Sequence, residues 1–217
     1  MNDAVKHDSI AHFDEAAKTW ADLPRRVVLG EKMAEAIGEA VPLHPGMRAL
    51  DFGCGVGLVS LPLAPRVDAI VGADTSPGML EKLRERLCEG GVQNVSPVLL
   101  PGEAAALEEQ PFDLVFTSMT LHHVPDVDGQ LADFARWCAP GGWLAIADLE
   151  PEDGTFHEAH QGLIHTGFDP ADLAARLETL GFTACQWRTA HVLKRDRVGV
   201  KDKEYPMFLL TARRRAD

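Results

Sequence analysis

The sequence predicts an α/β fold, a parallel sheet with helices on both faces, on three observations. Strand-like and helix-like runs alternate from Met47 onward, the order of elements in which helices connect parallel strands. The first strand runs straight into Gly53-Cys54-Gly55-Val56-Gly57 and then into a helix. Glycines at alternate positions let a ligand approach the backbone, and the helix that follows presents unpaired N–H groups to it. The third observation is compositional. With 217 residues, 46% apolar and 25% charged, the chain has the make-up of a soluble globular domain large enough to bury its own core.

Before the sheet, residues 1 to about 41 read as helical. Ile10, Phe13, Ala17 and Trp20 recur at helical spacing and form one apolar stripe. Leu23-Pro24-Arg25-Arg26 is a break, with Pro24 suited to the first turn of a second helix carrying Val27, Val28, Met33, Ala34 and Ile37. The two helices precede the glycine loop and are expected to cover its open side. Trp20, Arg25 and Arg26 are therefore candidates for contact with a ligand.

Arg48 to Phe52 is the first strand, followed by a helix from Leu58 to Ala64; Val67 to Ala73 is the second strand. Ser76 then caps a helix whose first residue is Pro77 and which Gly90-Gly91 stops. Val95 to Leu99 is the third strand, Pro101 to Gln110 a loop with a short helix, and Phe112 to Thr117 the fourth strand. A helix capped at Asp126 or Asp128 follows, then Pro140-Gly141-Gly142 turns into the fifth strand, Trp143 to Leu149. After an acidic, histidine-rich segment, Asp169-Pro170 starts a helix that ends at Leu180-Gly181. Runs at Ala184 to Leu193 and Met207 to Arg213 are expected as strands joined by a polar loop, which finishes the sheet antiparallel.

The net charge of −12 argues against a nucleic-acid backbone as the main partner. From Lys194 onward there are eight Lys/Arg against four Asp/Glu, and Arg213-Arg214-Arg215 reads as a solvated tail. No apolar run approaches membrane-span length and Met1 to Trp20 is not signal-like, so a cytoplasmic location is expected. Cys54, Cys88, Cys138 and Cys185 are far apart and read as reduced, buried residues.

Asp74 lies 23 residues after Asp51, at the end of the second strand, where an acid suits a ribose diol. A dinucleotide fingerprint calls for glycine or alanine where this chain has Leu58. Asp51, two residues ahead of the glycines, is a poor host for pyrophosphate and a better one for an ammonium group. These features favour a nucleoside that carries an amino acid over a dinucleotide.

Leu50-Asp51-Phe52-Gly53-Cys54-Gly55-Val56-Gly57, Asp74-Thr75-Ser76-Pro77-Gly78-Met79-Leu80, Phe112-Asp113-Leu114-Val115, Met119-Thr120-Leu121-His122-His123-Val124 and Pro140-Gly141-Gly142 occur in this order. In this the chain resembles the class I S-adenosylmethionine-dependent methyltransferases that modify metabolites, strongly over residues 45 to 150. The resemblance implies a Rossmann-like seven-stranded sheet in the order 3-2-1-4-5-7-6 with the last strand antiparallel. It implies one domain over 1–217, with a helical cap (1–44), a cofactor-binding core (45–150) and a substrate-side segment with the final strands (151–217). By the same resemblance, Asp51, Phe52, Gly53, Cys54, Gly55 and Gly57 hold the methionine end of S-adenosylmethionine. Asp74 and Thr75 take the ribose, Met79 lies near the adenine, and Thr117, Ser118 and Met119 line the sulfonium. Relatives usually place an acid after the third strand to meet the adenine amino group; here Glu103 is the nearby acid.

His122 and His123 are candidates for a general base, although a structural role for at least one fits the loop in which relatives carry the pair. His157, His160, His165 and Phe168 are candidates for the substrate wall, since their segment leaves the carboxyl end of the fifth strand. His157-x-x-His160 with His165 and Glu158 has the residue types of a metal site, but spacing alone does not close one, and no metal is expected. The function expected is transfer of a methyl group to an O, N, S or C nucleophile of a small molecule, by a monomer or homodimer. A non-catalytic S-adenosylmethionine-binding protein and a nicotinamide-dependent oxidoreductase are the alternatives.

Overall fold

The computed structural model describes residues 3–102, 107, 108, 110–157 and 164–216. Its centre is one sheet of seven strands: β1 (Arg48–Phe52), β2 (Ala69–Asp74), β3 (Val95–Leu99), β4 (Phe112–Ser118), β5 (Cys138–Leu149), β6 (Phe182–Arg197) and β7 (Val200–Arg214). They lie in the order β3-β2-β1-β4-β5-β7-β6. The pairs β1–β2, β1–β4, β2–β3 and β4–β5 are parallel, and β7 runs antiparallel to both β5 and β6. The order reverses between β1 and β4. A crevice therefore opens beyond the carboxyl ends of these two strands, the usual ligand position in such sheets.

The helices are α1 (Asp3–Ala17), α2 (Pro24–Ala40), α3 (Ser60–Leu63), α4 (Pro77–Gly90), α5 (Val127–Trp137) and α6 (Pro170–Thr179). Alternate residues of the central strands face opposite sides, so each strand feeds two cores. Leu50, Val115, Leu144, Ile146, Phe208 and Leu210 pack with Leu131 and Phe134 of α5 and Leu173 and Leu177 of α6. Ala49, Leu114, Phe116, Ala145, Ala147 and Leu209 pack with Met33 and Ile37 of α2, Leu63 of α3 and Leu80 and Leu83 of α4. Near-continuous apolar strands follow from burial on both faces.

The caps sit where the sequence places them. The Ser76 hydroxyl accepts from the Met79 amide at 3.1 Å, and Asp126 accepts from the Gly129 amide at 3.0 Å. Asp169 accepts from the Ala171 amide at 2.8 Å. Each satisfies an otherwise unpaired first-turn N–H, typically worth about 1 kcal/mol. At the other end of α4, Gly91 adopts φ +63° and ends the helix.

Several expectations need correction. Trp20 is not on the first helix but in a separate 3₁₀ turn, Trp20–Asp22. The helix expected from Leu58 begins only at Ser60, because the glycine turn extends through the preceding residues. The second strand begins at Ala69 rather than Val67. Pro140-Gly141-Gly142 lies within β5, as a bulge: Cys138 pairs with Phe112 and Trp143 with Leu114, and the surplus residues loop out of the ladder.

The largest difference is in the charged stretch after Leu193. Instead of a polar loop, both arms continue as a hairpin, with Lys194 opposite Glu204 and Arg197 opposite Val200. Its polar side chains have partners in the segment after β5. Arg195 donates to the Phe156 carbonyl at 2.5 Å and lies over the Phe156 ring. Arg197 donates to the Thr155 carbonyl, and Lys203 pairs with Asp153. Arg213 and Arg214 are likewise not a tail. The first stacks on Trp143 and the second donates to the Leu180 carbonyl at 2.6 Å. Of the cysteines, Cys54 and Cys138 are buried, but Cys88 is exposed and Cys185 only half-buried; all four are free.

Candidate functional site

At the end of β1 the chain turns through Gly53 (φ +75°), Gly55 (φ +52°) and Gly57 (φ +78°). All three are left-handed conformations that side chains disfavour. Two of them are also closed by packing. A β-carbon on Gly53 would collide with the Thr120 side chain, and one on Gly57 would stand 2.6 Å from Leu83 Cδ1. Gly55 is different, since among the described residues a β-carbon there meets only Met79 Sδ, at 3.9 Å. The middle of the loop thus borders open space.

Asp51 is 1% exposed. Its Oδ2 accepts from the Ser60 hydroxyl at 2.5 Å, while its Oδ1 is buried with no hydrogen-bond partner among the described residues. Burial pushes the carboxyl up to about 7, the Ser60 hydrogen bond opposes this, and the charge of Asp74 adds to it. Asp74, at the end of β2, accepts from the Gly55 amide at 2.8 Å and the Ser76 amide at 2.9 Å. Its carboxyl is also raised, by burial, against the amides of Ser76, Gly55 and Thr75, with Asp14 nearby adding to the rise. Asp74 therefore fixes the glycine loop and the start of α4 at once.

The N-terminal helix closes one side of this loop. Asp14 Oδ1 accepts from the Ser76 hydroxyl at 2.5 Å and the Gly78 amide at 2.9 Å, so α1 docks on the first turn of α4. Ala17 packs with Val56 and Met79, and Phe13, Trp20, Ala21 and Leu58 line the same cluster. Arg26 stacks on Trp20 at 3.6 Å; burial, then the charge of Arg25, lower its pKa. Arg25 itself is exposed. Asp14, Ser60 and Thr120 border the candidate site, although the sequence analysis gave them no role.

Beyond β4, Thr117 is buried and donates to the Phe52 carbonyl at 2.8 Å. Its hydroxyl is thus used inside the sheet, and Ser118, Met119 and Thr120 form the half-buried surface after the strand. Met119 holds φ +55°, rare for a residue with a side chain. Phe52 points to the far core, edge-on to Phe134 at 5.3 Å. The Cys54 side chain faces Gly72 beneath the loop, and Thr75 is exposed.

The turn Leu121–His123 then places three imidazoles together. His122 is 1% exposed and its Nδ1 lies 2.6 Å from Asp148 Oδ1. Its Nε2 lies 3.1 Å from Nε2 of His157. His123 stacks on His122 with ring centres 4.1 Å apart and meets Phe13 of α1 at 5.2 Å. Asp148 is fully buried. Burial would raise its carboxyl, but the charge and hydrogen bond of His122, the Leu149 amide and the charge of His123 outweigh it, and the net shift is downward. An acid in the apolar run Trp143 to Leu149 was the signal that could have found Asp148.

The proposed substrate wall divides. His157 joins His122 and His123, whereas His165 turns away, its Nε2 3.0 Å from the Val124 carbonyl and its ring against Phe168. His165 and Phe168 line a separate cleft of about 380 Å³ with Asp126, Asp128, Asp172 and Arg176. Glu103 and His160 lie outside the described residues.

Comparison with known proteins agrees with this geometry. Residues 50–146 match the family model described as a methyltransferase domain. The chain is 31% identical to an aklanonic acid methyltransferase of Streptomyces sp. (strain C5), over 84% of this chain and 80% of that one. It is 31% identical to a ubiquinone biosynthesis O-methyltransferase of Hahella chejuensis, over 85% and 84% of the two chains. Several other curated relatives are longer, and the chain spans about half of their length. Among solved structures, the S-adenosylhomocysteine complex of DhpI aligns over 100% of both chains, with a TM-score of 0.70 at 18% identity. No described helix is long and apolar enough to cross a membrane. The glycine loop, the strand order and relatives of nearly equal length converge, and the chain belongs to the class I S-adenosylmethionine-dependent methyltransferases.

Proposed function

We propose that this enzyme methylates an oxygen of a small-molecule acceptor held between α1 and the segment that follows β5. The observation that carries the cofactor half of this reading is the buried Asp51 Oδ1, which has no hydrogen-bond partner among the described residues, beside the space at Gly55. An unsatisfied buried carboxylate oxygen is costly unless a ligand donates to it, and the ammonium of S-adenosylmethionine is such a donor. Asp74 keeps lone pairs for a ribose diol beyond those that serve the backbone amides, and Met79 forms the apolar floor. Ser118 and Met119 follow at the end of β4, where the sulfonium would lie, and Thr75, Phe52 and Cys54 contribute through their backbone.

Bound S-adenosylmethionine supplies an activated methyl on a good leaving group, so positioning is most of what the protein must provide. His122, with Nδ1 on Asp148 and Nε2 on His157, acts through its neighbours. His123 and His157, both half-buried, are the imidazoles able to touch an acceptor, and Phe13 and Trp20 complete the apolar side. An oxygen acceptor is favoured because polar donors line this face and because one relative is named an O-methyltransferase. Incubation with methyl-labelled cofactor and fractionated cell metabolites should label a small molecule at oxygen. No labelled product from any fraction would refute the proposal.

The raised carboxyl of Asp51 gives a pH signature. The ionised form pairs with the cofactor ammonium, whereas the ligand-free protein takes up a proton near pH 7. Affinity for S-adenosylhomocysteine should therefore fall roughly tenfold from pH 7.5 to 6, with proton release on binding at the lower pH. The stability of the ligand-free protein should move oppositely. A folded pKa above the unfolded value means that the Asp51 contribution is fully present below about pH 4 and is lost as pH rises through 7. Calorimetry in buffers of different ionisation enthalpy measures both the affinity and the proton count, and a flat profile would remove Asp51 from the ammonium site.

A further inference from the structure

We infer that His122, His123 and His157 form a binding site for a borderline divalent metal ion of the zinc type. One ring nitrogen from each of the three lies within 4.8 Å of the others. The closest pair, Nε2 of His122 and Nε2 of His157, is 3.1 Å apart. Two imidazole nitrogens on a tetrahedral ion, with bonds of about 2.05 Å, stand about 3.3 Å apart. The pair thus already has nearly the separation that a shared ion imposes.

The environment of His122 adds a second, independent observation. Its Nδ1 contacts Asp148 Oδ1 at 2.6 Å, and the Asp148 carboxylate is held in turn by the Leu149 amide at 2.7 Å and the His122 amide at 3.3 Å. With Nδ1–H donating to the carboxylate, the lone pair of the imidazole is placed on Nε2, the atom that faces His157. A buried carboxylate, a histidine oriented by it and further imidazoles at ligand distance make up the outer and inner shells of protein metal sites. Three nitrogen donors also match the metals that prefer imidazole over carboxylate or carbonyl oxygen. Such a set leaves at least one coordination position, which an oxygen of water or of a hydroxylated small molecule would fill.

The spacing of His157 and His160 gives no indication of this grouping, because it joins His157 to residues 34 and 35 positions earlier in the sequence. Ring contacts fix the third member: His123 lies 4.1 Å from His122 and 5.2 Å from His157, centre to centre. The backbone supports the turn, since the amides of Ile164 and His165 both donate to the His122 carbonyl, at 3.2 and 3.1 Å.

The test uses Co²⁺ with the whole 217-residue chain in the absence of cofactor and acceptor, so its outcome is separate from that of the methyl-transfer proposal. Titration should show one Co²⁺ per chain, with the visible absorption of a nitrogen-ligated ion of low coordination number, and Zn²⁺ should displace it. His157→Ala, at a half-buried loop position, should abolish stoichiometric binding while leaving the melting temperature of the metal-free protein nearly unchanged. Asp148→Asn should weaken binding by about 10- to 100-fold, as expected for loss of a carboxylate that orients a ligand. Absence of a stoichiometric Co²⁺ complex in the unmodified protein would overturn the inference, leaving a hydrogen-bonded histidine pair. Retention of the same spectrum and stoichiometry by His157→Ala would overturn it as well.

Discussion

Replacing Gly55 by alanine should weaken S-adenosylhomocysteine binding by about 1–3 kcal/mol, the typical penalty for inserting an extra methyl into a filled site. The fold itself should lose only the backbone term, with no packing clash added. Among the described residues the new methyl meets only Met79 Sδ at 3.9 Å, and a left-handed φ of +52° costs a non-glycine residue about 1–2 kcal/mol. Gly57→Ala is the informative contrast. There the β-carbon would stand 2.6 Å from Leu83 Cδ1 at φ +78°, so a packing clash adds to the backbone term and stability should fall further than in Gly55→Ala. Calorimetry for affinity and urea unfolding for stability separate the two effects. If Gly55→Ala binds as the parent does, the cofactor does not approach the loop at this residue.

Asp74→Ala should cost about 1–3 kcal/mol of cofactor affinity through lost charge-assisted hydrogen bonds to the ribose. It should also loosen the loop, because the Gly55 and Ser76 amides lose their acceptor. Asp74→Asn distinguishes these contributions. Its amide oxygen can still accept from one backbone N–H, but the side chain carries no charge and has a single acceptor atom. The asparagine variant should therefore recover stability more than it recovers affinity. Equal recovery of both would mean that Asp74 acts only on the loop and does not bind the ribose.

Much of this molecule is legible in the sequence because the signals are local. Strands β1 and β3 fall where short apolar runs end in turn residues, and α4 starts where Ser76-Pro77 offers a cap and a fixed φ. The three glycines mark left-handed backbone, a property of each residue alone. The errors occur where tertiary contacts override a local preference. A charged stretch after Leu193 has no strand pattern of its own, yet it pairs because Arg195, Arg197 and Lys203 find acceptors on 153–156. Arg213 and Arg214 lie in β7 rather than in solvent, with their guanidinium groups over the Trp143 and Phe182 rings.

The site divides along the same line. The cofactor class was legible in the sequence, since Asp51, the glycine loop, Leu58 and Asp74 favour an ammonium-bearing nucleoside over a dinucleotide and, with the later motifs in order, carry the family resemblance. Only the tertiary structure decided that His157 meets His122 and His123 while His165 faces another cleft. The same holds for Asp148 beneath His122, and for α1 held to the first turn of α4 through Asp14. Backbone conformation is encoded by nearest-neighbour sterics and hydrogen bonding, which a sequence displays directly. The convergence of side chains from separate segments depends on how sheet, helices and hairpin pack together, and no periodicity along the chain records it.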